Sequence, residues 1–202
     1  MIMRVIGLTG GIASGKSTVS KLLEAHGLPV LDADSIYHEL LQPQNGAPSP
    51  LGVSIGAHFD NVLEGDGSIN RKKLGEMVFG HPERLKKLSA LTHPAVGLSF
   101  GQRIAELREA GAPCAIYDVP LLFENGLESG LDGVIVVWVP HELQLSRLCE
   151  RDGISEERAM ARLGSQGNLD SKRDKATWVI DNSGTRDETR EKVDALVETL
   201  TA

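Results

Sequence analysis

Lys16 stands between a run of glycines and two hydroxyl side chains. Gly10 and Gly15 bracket four residues, and Lys16 and Ser17 follow, which fits G-x-x-x-x-G-K-[ST]. The pattern asks for few side chains because the backbone is the binding surface. Loop amides converge on an oxyanion, and the dipole of the following helix adds positive potential. Lys16 can then reach the β- and γ-phosphates, and the Ser17 hydroxyl can ligate Mg²⁺. Nucleotide phosphates are expected along Gly11, Ile12, Ala13, Ser14, Gly15, Lys16, Ser17 and Thr18. A Gly-rich turn that binds nothing has the same composition. The flanks decide against it: Arg4–Thr9 reads as a strand, and Val19, Leu22 and Leu23 recur at helical spacing.

Three sets of acids come next. Asp32 and Asp34 follow a short apolar run and lie two apart, so an extended or turning backbone gives their side chains one face. At the strand end of a parallel sheet they face the crevice of the phosphate loop. There a carboxylate can accept a proton from an attacking hydroxyl or hold water on Mg²⁺. Alternatively, Asp34 caps a helix that begins at Ser35 or Ile36. Asp118 ends the run Ala-Ile-Tyr-Asp, as a Walker B acid does, and is expected to face the magnesium. Pro120, Leu121, Leu122 and Phe123 then form an apolar wall, and Glu124 either orients that wall or a ligand, or is a solvated loop acid.

The basic residues fall in register. Arg147 and Arg151 are i,i+4 on one helix, and Arg158, Arg162 and Gln166 repeat that spacing on the next, with Arg173 beyond a polar break. A solvated face paired with Glu150, Glu156 and Glu157 is one reading. A closing lid whose arginines neutralise a transferring phosphoryl group is the reading that suits a phosphate loop upstream. His93-Pro94 and His81-Pro82 each read as a helix start with Pro at N1, and neither His has a partner at metal-ligand spacing. Asp181–Gly184 matches D-x-x-G, but it follows the last strand and no N-K-x-D comes after it.

These residues need a scaffold, and 202 residues suffice for one good core plus a small insertion. Strands are expected at Arg4–Thr9, Pro29–Leu31, Ala115–Tyr117, Val134–Val139 and Thr177–Ile180, separated mostly by amphipathic helical segments. That is an α/β fold with a five-stranded, mostly parallel sheet flanked by helices. About eighty residues between Asp34 and Pro113 are too many for one crossover, so a helical insertion is expected. It holds the loop Gln42–Pro50, a turn at Glu64–Ser68, and helices Arg71–Phe79, Glu83–Leu91 and Ala95–Ala110. The core then comprises residues 1–33 and 113–202, with a lid at about 147–174, and the insertion spans 34–112. A last helix, Asp187–Leu200, carries Val193, Leu196, Val197 and Leu200 on one stripe.

Net charge is −7 and aromatics are 4%, which argues against a polyphosphate backbone or stacked bases as partners. The first residues carry no apolar signal region, and no apolar run reaches a membrane-spanning length. Neither secretion nor a membrane partner is expected. Cys114 and Cys149, in apolar or helical contexts, read as reduced thiols of a cytoplasmic protein.

Taken in order, Ile6–Val19, Val30–Leu40, Leu91–Val96, Asp118–Leu127, Arg158–Gln166 and Val179–Thr185 resemble the dephospho-CoA kinase family over essentially the whole chain. The resemblance implies a P-loop kinase with a helical acceptor-binding insertion and a helical lid. It implies ATP-dependent phosphorylation of the ribose 3′-hydroxyl of dephospho-CoA, the last step of coenzyme A synthesis, with Mg²⁺. It makes Asp34 the general base and Asp32 its helper, places the adenine near Asn182-Ser183-Gly184, and makes Arg151 and Arg162 the leading lid arginines. His93, Leu121 and Glu124 fall with Asp32 on the acceptor side. Two positions depart from the family. Ala13 stands where glycine is frequent, a small cost unless φ must be positive there, and Gly164 replaces a more usual alanine, which would loosen the lid helix.

Overall fold

The computed structural model describes residues 3–201. Five strands form one sheet in the order β2-β3-β1-β4-β5: β1 Arg4–Gly10, β2 Val30–Asp32, β3 Cys114–Asp118, β4 Gly133–Trp138 and β5 Trp178–Asp181. β1 runs parallel to both β3 and β4, and β4 runs parallel to β5. Helices α1 (Lys16–Ala25) and α9 (Arg186–Thr201) supply Val19, Leu23, Val193, Leu196 and Leu200 to a core with Ile6, Leu8, Ile116, Ile135 and Val137. Strands covered on both faces need continuous apolar runs, which is why β1, β3 and β4 do not alternate. α9 starts with a capping box: Thr185 and Glu188 exchange hydrogen bonds, Thr185 N–H to Glu188 at 2.7 Å and Glu188 N–H to Thr185 Oγ1 at 3.2 Å.

The chain divides into two compact units, Met1–Leu31 with Leu107–Ala202, and Asp32–Glu106. The second has its own small core, Leu41, Leu51, Ile55, Phe59, Val62, Ile69, Leu74 and Val78. It is built from α2 (Ala33–Leu40), α3 (Pro50–Gly56), α4 (Arg71–Val78) and most of α5 (Pro82–Glu109). Arg103 on α5 pairs with Glu39 on α2.

Several local expectations are corrected here. α5 is one helix, so Pro94 lies inside it and His93-Pro94 is no helix start, whereas Pro82 is its first residue. Proline costs an interior helix one hydrogen bond, but Leu88, Leu91 and Ala95 on both sides of it pack on one core, and that packing overrides the break. α3 was not expected. Its signal is Ser49-Pro50, since Ser49 Oγ accepts from Gly52 N–H at 3.0 Å and Pro50 opens the helix. Asp32 rather than Asp34 caps α2, accepting from Ser35 N–H at 2.5 Å, so the two acids lie across a strand–helix junction and not along an extended strand.

In the first unit, α6 (His141–Asp152), α7 (Glu156–Gly164) and α8 (Leu169–Arg173) follow β4. α8 replaces the expected polar break, capped by Asn168 Oδ1 on Asp170 N–H at 2.7 Å. Gln166 lies beyond the end of α7 and does not continue the arginine face. Gly164 is the last residue of α7, where glycine costs the helix interior nothing.

Candidate active site

The loop after β1 owes its shape to two backbone reversals. Gly15 has φ +88°, a left-handed conformation that admits glycine freely, and Asn182 fills the space where a side chain would go. Ala13 also has φ +59°, so the condition attached to its substitution is met and the strain is real, about 1 kcal/mol. α1 starts at Lys16 with no side-chain cap, so the first-turn amides of Lys16 and Ser17 open toward the loop. Ser17 is exposed, and Ser14 is fully buried with no hydrogen-bond partner for its Oγ.

Around this loop the fold collects side chains from distant segments. Leu8 of β1 stands opposite Asp118 of β3, which brings that strand end beside the loop, and Lys16 Nζ forms an ion pair with Asp118. Asp118 is 2% exposed. Asn182, at the end of β5, is buried; its Nδ2 donates to Ser14 O at 2.8 Å, and its Oδ1 accepts from Thr189 Oγ1 at 2.7 Å. It therefore supports the loop from beneath.

The turn after β3 is bolted in place. Pro120 O accepts from Thr9 Oγ1 at 3.0 Å and from Lys172 Nζ at 3.1 Å. Lys172 is 3% exposed and pairs with Glu124 at 2.8 Å, while Glu124 Oε1 also accepts from Gly167 N–H at 3.1 Å. Burial alone would raise the Glu124 carboxyl, but the Lys172 hydrogen bond, two backbone hydrogen bonds and the Lys172 charge together hold it below its ordinary value. Glu124 is thus no solvated loop acid. In the apolar wall, Leu122 is fully buried and Leu121 stands exposed.

Arg151 and Arg162 converge on one carboxylate. Asp152 accepts from Arg151 Nε at 2.7 Å and from Arg162 Nη1 at 2.5 Å, and the Arg151 hydrogen bond holds its carboxyl below the usual range. These pairs stand where ion pairs to Glu150, Glu156 and Glu157 were the alternative. Arg173 instead stacks over Trp138 at 4.9 Å and pairs with Asp170 at 3.2 Å.

Asp32, Asp34 and His93 belong to the second unit. Asp34 is exposed in the first turn of α2, beside the Asp32 cap, and His93 is exposed on α5.

A phosphate loop, a buried acid paired with its lysine, and two arginines gathered on one carboxylate suit a phosphoryl-transfer enzyme. Residues 4–188 match the family model for dephospho-CoA kinase. The chain belongs to the dephospho-CoA kinase family. A dephospho-CoA kinase of Anaeromyxobacter dehalogenans is 45% identical over 98% of this chain and 92% of its own. Among solved structures, TT1252 from Thermus thermophilus aligns with TM-score 0.84 and 35% identity over the whole of both chains. Dephospho-CoA kinase from Campylobacter jejuni aligns with TM-score 0.68 and 28% identity over 98% of this chain and 97% of its own.

Within that family frame, three supporting residues escaped the sequence reading. Lys172 shares a buried helical face with Leu169, three residues away, and Gln144 shares one with Leu148. A polar side chain on an otherwise apolar stripe was the signal in both. Asp152 offered none beyond its place between two arginines. Among the described residues, no helix is long and apolar enough to cross a membrane, and no group of three or more His, Cys, Asp or Glu is arranged to hold a metal.

Proposed function

We propose that the protein transfers the γ-phosphoryl group of ATP to the ribose 3′-hydroxyl of dephospho-CoA, completing coenzyme A in the cytoplasm. Family membership over nearly the full chain carries the reading, and the Lys16–Asp118 pair at the phosphate loop gives it a chemical centre.

The loop residues Gly11–Thr18 hold the ATP phosphates through backbone amides, and Lys16 moves its charge onto the β- and γ-oxygens. The Ser17 hydroxyl and the Asp118 carboxylate are hard oxygen donors flanking the loop, a set that fits Mg²⁺ bound also by substrate phosphates. When bound, that ion neutralises charge on the phosphates. Asn182 acts on the nucleotide through the loop it supports. Residues 34–112 bind the acceptor, and Asp32, His93, Leu121 and Glu124 contact it. Asp32 is occupied by the Ser35 amide, so it positions α2, and exposed Asp34 takes the hydroxyl proton. The lid, about 147–174, brings Arg151 and Arg162 to the transferring group and excludes water.

A phosphoryl-transfer assay over a panel of hydroxyl compounds tests this. Dephospho-CoA is expected to be the preferred acceptor, with coenzyme A as product. Faster transfer to a nucleoside or a sugar acid would replace the acceptor while leaving the kinase core in place.

A further inference from the structure

The backbone of Ile12, at the crown of the phosphate loop, is gripped on both sides. Its N–H donates to Gln166 Oε1 at 3.0 Å, and its C=O accepts from Gln144 Nε2 at 2.7 Å. The two glutamines come from different places, the start of α6 and the junction between α7 and α8. Gln144 is 5% exposed, and it approaches so closely that a side chain at Gly11 would collide with its amide. The next residue is Ala13, the one held at φ +59°.

An unsupported loop would release that strain. Alanine is disfavoured in the left-handed region, so the crown relaxes unless its neighbours prevent it. We propose that Gln144 and Gln166 are a positioning clamp that holds the Ile12 backbone, and with it left-handed Ala13, in the shape that receives phosphate. The clamp also ties the crown to the lid junction. Gln166 is followed by Gly167, whose N–H is held by Glu124, so the junction is fixed to the phosphate loop on one side and to the turn after β3 on the other. α7 therefore leads into an anchored junction.

This rests on the loop being the ATP site, and the test separates the two. Steady-state kinetics are measured for Gln166→Met, which keeps volume and removes the acceptor, alone and combined with Ala13→Gly. Alone, Gln166→Met is expected to raise the KM for ATP about tenfold, the equivalent of one hydrogen bond, while kcat changes less than about threefold. With Ala13→Gly the left-handed shape no longer needs holding, so the same change is expected to raise KM only about threefold or less. Equal effects in both backgrounds, or an unchanged KM, would overturn the clamp. Amide exchange at Ile12 reads it without nucleotide: exchange is expected to accelerate about tenfold in Gln166→Met while Ile6 and Leu8 stay protected. Unaltered exchange at Ile12 overturns the clamp, whereas failure of the wild type to bind ATP overturns only the reading of the loop.

Discussion

Lys16 on the phosphate loop pairs with Asp118, a carboxylate buried at the end of β3. Lys16 thus has a structural partner, and removing the lysine has two consequences. Lys16→Ala is expected to abolish transfer. It also takes the lysine away from a buried carboxylate, which costs about 1–3 kcal/mol of stability. Adding Asp118→Asn removes the buried charge and should recover part of the melting temperature without recovering turnover. Melting curves and turnover for the two single variants and the double variant decide this. A Lys16→Ala protein as stable as wild type would mean the pair contributes nothing to the fold.

The two acids after β2 separate by what each already does. Asp32 caps α2, so Asp32→Ala should lose about 1 kcal/mol of stability, while Asp32→Asn should lose little because Asn caps as well. Asp34 is exposed and does not cap, so Asp34→Asn should leave the melting temperature unchanged and lower turnover by about 10²–10³, within the usual range of general-base help. Both substrates should still bind. An active Asp34→Asn enzyme beside a dead Asp32→Asn enzyme would make Asp32 the base.

Much of this was legible from spacing. All five strands were found because a parallel sheet needs apolar runs, and the phosphate loop because its chemistry needs glycines, Lys16 and Ser17 in one order. The errors lie where a distant contact overrides a local preference. Pro94 reads as a break, but nothing local tells that Leu88, Leu91 and Ala95 share a core. Asp34 and Asp32 are equally good caps, and only the observed backbone chooses Asp32. Asn182 reads as a loop residue after the last strand, and its partners Ser14 and Thr189 are set by tertiary structure. The cost of Ala13 turned on φ, which a sequence does not show, and φ is +59°.

Asp152 gathers Arg151 and Arg162, which bears on how they act in the proposed lid. Arg162→Ala should lower turnover more than ATP affinity, because lid charge matters most as the phosphoryl group moves. Asp152→Asn should leave both guanidiniums present but less well gathered, a smaller loss of turnover of about threefold to tenfold. The pairs are exposed, so stability should change little in either variant. Turnover and ATP affinity for both variants check this. A fall in affinity alone, with turnover at saturation intact, would make Arg162 a ground-state binder.

Glu124 and Lys172 make the fold sensitive to acid. The Glu124 carboxyl titrates below its ordinary value of 4.5, so the folded state binds its proton less readily than the unfolded chain does. A group of that kind contributes stability fully above the unfolded value and loses it as pH falls through the folded one. The loss should therefore set in below about pH 4.5 and not near neutrality. Glu124→Gln supplies the control, because its amide oxygen still accepts from Gly167 N–H while the charge beside buried Lys172 disappears. At pH 7 the variant should be less stable by about 1–3 kcal/mol, since Lys172 keeps its burial and loses its counter-charge. As pH falls below that ordinary value, the wild type protonates and loses the same charge, so the two melting curves should converge. Melting temperature recorded across that range for both proteins reads the effect. A gap that stays constant as pH falls well below 4.5 would show that the Glu124 charge does not stabilise the fold through Lys172.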